Sequence, residues 1–210
     1  MLVYDINCVW QTDITYFYVG VTYYYLIFII DVYSQYIVSY QVSESMHAIH
    51  NVQCLKRALR TRKITRKNKL IHHSDRGAQF TSNEYLNVLY SSKIKISMGL
   101  KGQDNAYGER INGVIKNEYL NFRNIKTYKE LKQWTKQAVN HYNKCRINRK
   151  QLNKISPEIF EEKLLNLDYG NRPKVVIYSS GNYNCKIDEH YLSQIPKKDR
   201  KHHICPINLK

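Results

Sequence analysis

Acidic residues are scarce in this chain. Asp and Glu number 17 against 33 Lys and Arg, a net charge of +16 over 210 residues. A surplus of that size points to a polyanionic partner, and nucleic acid is the usual one. A basic protein without such a partner is the plain alternative. Paired cysteines are also lacking. Cys8, Cys54, Cys145, Cys185 and Cys205 are scattered, and no Cys-x-x-Cys occurs. That argues against a disulfide framework and fits a reducing, cytoplasmic compartment. His202, His203 and Cys205, even with Cys185, match no standard zinc-finger spacing. No signal peptide is expected, because Asp5 interrupts the start and no basic segment precedes an apolar run. Residues 14–30 carry no charge, yet the run is shorter than the roughly 20 residues of a membrane span. Gly20 splits it, and Asp13 and Asp31 bound it, so two β-strands explain it better than a span. No repeat or low-complexity block is present.

What the chain does have is an uneven distribution of charge. Ser45 to Ser74 holds Lys56, Arg57, Arg60, Arg62, Lys63, Arg66, Lys67 and Lys69 and no acid. A solvated helix face usually mixes signs, so this run leans toward phosphate contact. The 19 tyrosines are read as compositional bias from AT-rich coding, and not as a base-stacking platform.

The apolar patterning predicts strands over Val9–Tyr18, Tyr23–Ile30 and Tyr36–Val42, rich in Val, Ile, Tyr and Thr. A helix follows over Ser45–Lys63, with Ala48, Ile49, Val52, Leu55 and Leu59 on its inner face. Short strands are expected at Lys69–His73 and Ile94–Ser97. Helices are expected at Ser82–Ser91, Ala106–Leu120 and Tyr128–Lys144, with another starting at Ser156-Pro157. Three antiparallel strands followed by αβαβα make a mixed five-stranded sheet flanked by helices, the order of an RNase H-like α/β fold. Residues 1–164 are expected to form that core with its C-terminal helices. Residues 165–210 are expected to form an irregular basic tail or small appendage.

Three carboxylates fall where such a fold could gather them. Asp13 sits in a strand between apolar neighbours, where a lone charge is costly unless paired or bound to a cation. Asp75 ends another strand, just before Arg76-Gly77. Glu109 lies in the first turn of a helix. An edge position in solvent would explain Asp13 alone; the recurrence of carboxylates favours a cation site. Two Mg²⁺ about 3.5–4 Å apart could serve an in-line phosphoryl displacement. Asn112, Gly113 and Lys116 share the face of Glu109 at i+3, i+4 and i+7, Gly113 leaving room for a close neighbour.

These stretches resemble the integrase core of insertion-sequence transposases, in particular the large "IS three" family, which is related to retroviral integrases. The resemblance rests on five ordered motifs. Trp10-Gln11-Thr12-Asp13-Ile14-Thr15-Tyr16 is similar to the first-aspartate strand, and Ile30-Asp31-Val32-Tyr33-Ser34-Gln35-Tyr36 to the next strand pair. Ile71-His72-His73-Ser74-Asp75-Arg76-Gly77-Ala78-Gln79-Phe80-Thr81-Ser82 resembles the second-aspartate motif, and Asp104-Asn105-Ala106 through Lys116 the glutamate helix. His141-Tyr142-Asn143, Arg146 and Leu152 to Phe160 resemble the closing signature.

The resemblance implies a DDE recombinase that cleaves DNA strands and transfers them, with Asp13, Asp75 and Glu109 as catalytic metal ligands. It implies Mg²⁺ as two ions, with Mn²⁺ able to substitute. Asp31 matches a family position that is not a metal ligand. The candidate DNA contacts are Lys116, Arg110 and Asn112 on the glutamate helix, Arg76 beside Asp75, and Lys56, Arg57 and Arg60 on the basic helix. The implied partners are transposon-end and target DNA, a homo-oligomer on that DNA, and a separate helix-turn-helix subunit from an upstream reading frame. Two features depart from the family pattern. The Asp75-to-Glu109 interval, 33 residues, is shorter than usual, and Ile147-Asn148 stands where Pro-His is typical. A catalytically inactive DNA-binding remnant and an RNase H-type nuclease are the alternative functions.

Overall fold

A computed structural model of the protein describes residues 2–3, 5–65, 68–99, 105–147 and 154–176. A short strand β1 (Leu2–Val3) precedes the two longest strands, β2 (Val9–Val19) and β3 (Thr22–Asp31). Gly20 turns between them with φ +62°, a conformation that favours glycine. Next come β4 (Ile37–Ser43), helix α1 (Ala48–Thr61) and β5 (Ile71–Ser74). Helices α2 (Ala78–Thr81) and α3 (Asn83–Ser91) lead to β6 (Lys95–Met98). The second half holds α4 (Ala106–Val114), α5 (Tyr128–Lys144), α6 (Pro157–Leu165) and β7 (Val175–Val176).

The main sheet has the order β4-β3-β2-β5-β6. Its first three strands are antiparallel, and β5 and β6 join parallel to β2. This is the expected mixed five-stranded sheet. β1 and β7 pair separately, Leu2 opposite Val176. No described helix is long and apolar enough to cross a membrane.

Strict alternation along β3 explains why the uncharged run is a strand. Ile27 and Ile29 face one layer, where Val52, Leu55, Tyr85 and Leu86 of α1 and α3 pack. Leu26, Phe28 and Ile30 face the other, against Ile111 of α4 and Leu131, Ala138 and Tyr142 of α5. The sheet is thus buried on both sides, and it fixes α4 on the layer opposite α1.

Caps set several boundaries. Thr127 accepts from Glu130 N at the start of α5, Ser82 from Tyr85 N at the start of α3, and Ser156 from Ile159 N before Pro157 at the start of α6. Asn143, part of the closing signature, has a structural job. Its amide accepts from Ile37 N at 2.9 Å and donates to Ile37 O at 3.0 Å, taking a strand's place along the outer edge of β4. Asn143→Ala leaves both backbone groups buried and unpaired, so it is expected to cost about 2–3 kcal/mol in urea unfolding.

Three details differ from the sequence expectation. Ile49, placed on the inner face of α1, is half exposed, and Asn51, Cys54 and Ala58 are buried instead. The inner face is rotated because α1 packs chiefly on β4 and on α3. The helix expected over Ala106–Leu120 is α-helical only to Val114 and continues as a π-helical turn over Ile115–Leu120. Finally, Arg62 is withdrawn from the basic run. It forms a bidentate, largely buried ion pair with Glu161 of α6. Arg66, Lys67, the 100–104 loop and the zinc-type residues of the tail lie outside the described residues.

Candidate active site

The site is built where α4 lies against β2. Residues of β2 are joined to α4, to Asn105 just before it and to Lys116 just after it. Gln11, fully buried, accepts from Tyr107 N at 3.0 Å and Gly108 N at 3.3 Å, satisfying the first free amides of the helix. Asn105 donates to Thr12 O at 2.8 Å. Asn112 Nδ2 donates to Asp13 Oδ2 at 2.7 Å. Lys116 Nζ reaches Thr15 Oγ1 at 3.4 Å and lies 5.0 Å from the centre of the Tyr16 ring.

The close approach depends on Gly108. A Cβ there would stand 2.9 Å from Asp13 Cβ and 3.0 Å from Asn105 Oδ1. Asp13 Cβ is fixed by its strand and cannot swing away. The expected open position, Gly113, meets nothing within 4 Å, so the tight glycine is the one at 108. Gly108, Asn112 and Lys116 recur every four residues and form the stripe that faces β2. Gly108→Ala is expected to destabilise the protein by about 2 kcal/mol and to displace Asp13. Thermal unfolding and a catalytic assay of the same preparation measure both effects.

Asp75 extends from β5, whose position is set from both sides. His72 shares a 2.7 Å hydrogen bond with Tyr85 of α3, and His73 one of 2.9 Å with Ser97 of β6. Burial pushes the His72 imidazole down to about 3, so it is a neutral structural group. Asp75 Oδ1 accepts from Gly77 N at 2.9 Å, which closes the turn into α2.

The carboxylates influence one another electrostatically. Burial raises Asp13 to about 6, and the nearby charges of Asp75 and Glu109 add to the rise. Hydrogen bonds from the Ile14 backbone and Asn112 oppose it. Among the described residues, however, no three His, Cys, Asp or Glu side chains converge closely enough to hold a metal ion between them. The convergence expected from sequence is therefore looser in the structure. Asp13 is engaged by Asn112, Asp75 by Gly77, and Glu109 stands exposed on the first turn of α4. Mutual repulsion of like charges opposes closer approach. The donor chemistry nonetheless fits a hard divalent cation, since carboxylate oxygens are its preferred ligands and a cation would relieve that repulsion.

The other expected contacts divide by location. Asn112, expected on DNA, is buried and bonded to Asp13, because it falls on the stripe that meets β2. Arg110 is exposed and acts electrostatically on Glu118 and Tyr142. Arg76 is exposed beside Asp75. Lys56 and Arg60 are exposed on α1, in the layer opposite α4. Arg57 is committed to β4, donating to Tyr40 O at 2.6 Å and Gln41 Oε1 at 2.7 Å. The α1 basic residues and the α4 stripe therefore belong to different faces. Gln11, Asn105 and Gly108 were not singled out from sequence. Only Gln11 carries a signal, as part of a polar Gln-Thr-Asp run in a strand otherwise largely apolar; Asn105 and Gly108 depend on the strand packed beside them.

Asp31 is buried apart from this group. Its carboxylate accepts from Asn7 N, Tyr33 N and Ser34 N and shapes the β3–β4 turn. Glu161 is near enough to repel it, and Arg62 to attract it.

Two family models, both described as integrase core domain, match residues 5–103 and 90–157. The transposase for insertion sequence element IS629 of Shigella sonnei is 34% identical over 166 residues, covering 77% of this chain and 54% of that protein. The transposase InsF for insertion sequence IS3A of Escherichia coli (strain K12) is 31% identical over 165 residues, 76% of this chain and 55% of that protein. The chain spans about half the length of the curated relatives it matches. Among solved structures, the HTLV-2 integrase catalytic core domain in complex with magnesium aligns with TM-score 0.58 at 21% identity, over 74% of this chain and 96% of that one. The catalytic domain of Mos1 mariner transposase aligns with TM-score 0.56 at 11% identity, over 76% of each chain. At these identities the structural likeness speaks for the RNase H-like fold alone.

Proposed function

The chain belongs to the integrase core domain family and is related to insertion-sequence transposases, and on that premise we propose that it is a transposase catalytic core that cleaves and joins DNA strands. The observation that carries the reading is the β2–α4 stripe. It holds Asp13 between Gly108 and Asn112, places Lys116 further along the same face, and keeps Asp75 and Glu109 within electrostatic reach.

In this reading Asp13, Asp75 and Glu109 hold Mg²⁺, as two ions for which Mn²⁺ substitutes. When bound, the cations supply charge neutralisation at the scissile phosphate. The chain's own groups do the positioning. Asn112 holds the Asp13 carboxylate through Oδ2 and fixes its orientation. Lys116 offers its ammonium group to a neighbouring phosphate of the bound strand, with Arg76 and Arg110 as further contacts. Recognition of the element's ends is assigned to a helix-turn-helix segment on another polypeptide, and strand transfer to an oligomer assembled on DNA.

The test uses the purified chain, Mg²⁺, labelled duplex carrying the element's ends, and a target plasmid. Nicked ends and joined products are expected, and chelation of the metal should remove both. Salt-sensitive DNA binding without nicking in Mg²⁺ or Mn²⁺ would leave the inactive DNA-binding remnant as the better description.

Lys116→Ala should separate binding from folding. Its ammonium carries one phosphate contact, so DNA affinity is expected to fall severalfold and the slope of log affinity against log salt to become shallower by about one. Thermal stability should stay within about 0.5 kcal/mol of wild type.

A further inference from the structure

Helix α5 and the outer edge of the sheet enclose a groove that the Asp13 site does not use. Two adjoining hollows, of about 670 and about 450 Å³, share Tyr40, Arg57, Gln133 and Lys136 and so run on as one channel. Its floor is β4, and α1 and α5 form its walls. On the α5 wall Lys132, Lys136, Asn140 and Lys144 recur every four residues and make one exposed row. Gln133 and Gln137 lie beside them. Arg57 of α1 adds a fourth positive charge from the facing wall. Among the described residues no Asp or Glu lines the groove, and none of the three lysines pairs with a carboxylate. Lys132 rests instead 5.3 Å from the centre of the Tyr128 ring.

The build of the groove excludes protein occupants in turn. An added β-strand needs free backbone groups on an edge strand. The outward carbonyls of β4 are already taken, Ile37 O by Asn143, Tyr40 O by Arg57 and Val42 O by Tyr128. An amphipathic helix needs apolar anchors, whereas Ile37, Val38 and Val139 are already buried. A second copy brings the same groove, and a twofold contact through it would set lysine against lysine. A polyanion with evenly repeated charge meets none of these obstacles. We propose that the groove is a track for the phosphodiester backbone of duplex DNA, held without sequence readout. The proposal rests on the reading of the chain as DNA-acting and adds a second DNA contact to it, at the sheet edge two strands from Asp13. The row from Lys132 to Lys144 is about 18 Å long, the length of about five base pairs of duplex. Its ammonium groups neutralise phosphates, and the amides of Gln133, Gln137 and Asn140 donate to phosphate oxygens. Arg57, held by Tyr40 O and Gln41, contributes charge from behind.

The test measures binding of the full chain to a blunt duplex of unrelated sequence over a range of salt, without divalent cation. Lys132→Gln/Lys136→Gln/Lys144→Gln is expected to make the slope of log affinity against log salt shallower by about three, and to weaken binding about a hundredfold at about 0.1 M salt. The same three positions changed to Arg should bind as wild type does. Lys93→Gln/Lys163→Gln/Lys174→Gln removes as much charge outside the groove and should move the slope by less than about one. Nicking of saturating element-end DNA in Mg²⁺ by the groove variant should stay near wild type. Equal slope changes in the groove and control variants, or a loss shared by the Arg variant, would overturn the proposal. So would an unchanged slope with a shifted oligomeric state in sedimentation, which would make the groove a contact between copies of the chain. A slope that the groove variant flattens, with nicking by neither protein, would sink the catalytic reading and keep the track. Nicking by both with identical slopes would do the reverse.

Discussion

Asp13→Asn is expected to abolish strand cleavage and, at the same time, to stabilise the metal-free protein. The loss of activity, at least a thousandfold, follows from removing a carboxylate that the proposed cations and the scissile phosphate both depend on. The gain follows from the cost of holding Asp13 ionised. Burial, with Asp75 and Glu109 nearby, raises it from 3.8 to about 6. Below pH 4 the group is protonated in the folded and unfolded chain alike and costs nothing. Between pH 4 and 6 the unfolded chain loses its proton first, so folding stability falls as pH rises. Above pH 6 the whole cost is present. Asn resembles the protonated form and keeps an acceptor for Asn112. The variant should therefore be more stable than wild type by about 1–2 kcal/mol at pH 7.5, a difference that fades toward pH 4. Denaturant unfolding across that range measures it. Mg²⁺ should raise the Tm of wild type and leave the variant nearly unmoved. A variant less stable than wild type at pH 7.5 would contradict this account.

Asp31→Ala should have the opposite character, a large loss of stability. It deletes the acceptor for Tyr33 N and Ser34 N in the β3–β4 turn, both buried, and for Asn7 N just before β2. Beside it, Glu161 accepts from Ser34 Oγ at 2.5 Å and pairs with Arg62, so the turn, α1 and α6 are joined at one point. Leaving those donors unpaired is expected to cost about 3–5 kcal/mol. Denaturant unfolding should show a midpoint shift at constant slope. Asp31→Asn, which keeps two or fewer of the three bonds, should fall between. Asp13 and Asp31 bound the same uncharged run, yet one substitution stabilises the fold and the other breaks it.

Much of the fold was legible because its signals are local. The bounds of α5 coincide with the expectation because Thr127 and Glu130 make a strong start and no glycine or proline interrupts the helix. β3 was readable from its unbroken run of Tyr, Leu, Ile and Phe. The polar half of the site was much less so. Whether Asn112 turns to solvent or to Asp13, and whether Arg57 meets phosphate or Tyr40 O, depends on partners 16 to 99 residues away. Side chains of one charge look alike in sequence. Lys56 stays exposed, whereas Arg62, six positions on, lies against Glu161. Glycine was misread for the same reason. Gly113 and Gly108 are equally small, and the strand beside the helix decides which one is needed.

The π-helical turn over Ile115–Leu120 gives α4 a second phase. Its wider step is visible where Asn121 N bonds to Lys116 O at 2.8 Å, one residue further back than in an α-helix. Before that turn the helix is timed to β2, through Gly108 and Asn112. Within it, the contacts are to α5 and the residues just past it, where Tyr119 meets His141 at 3.0 Å and Glu118 pairs with Arg146. Lys116 sits at the changeover. A single continuous α-helix could keep time with one of these neighbours only. The extra residue works like a leap day, absorbing the mismatch so that two surfaces with different calendars stay synchronised around one lysine.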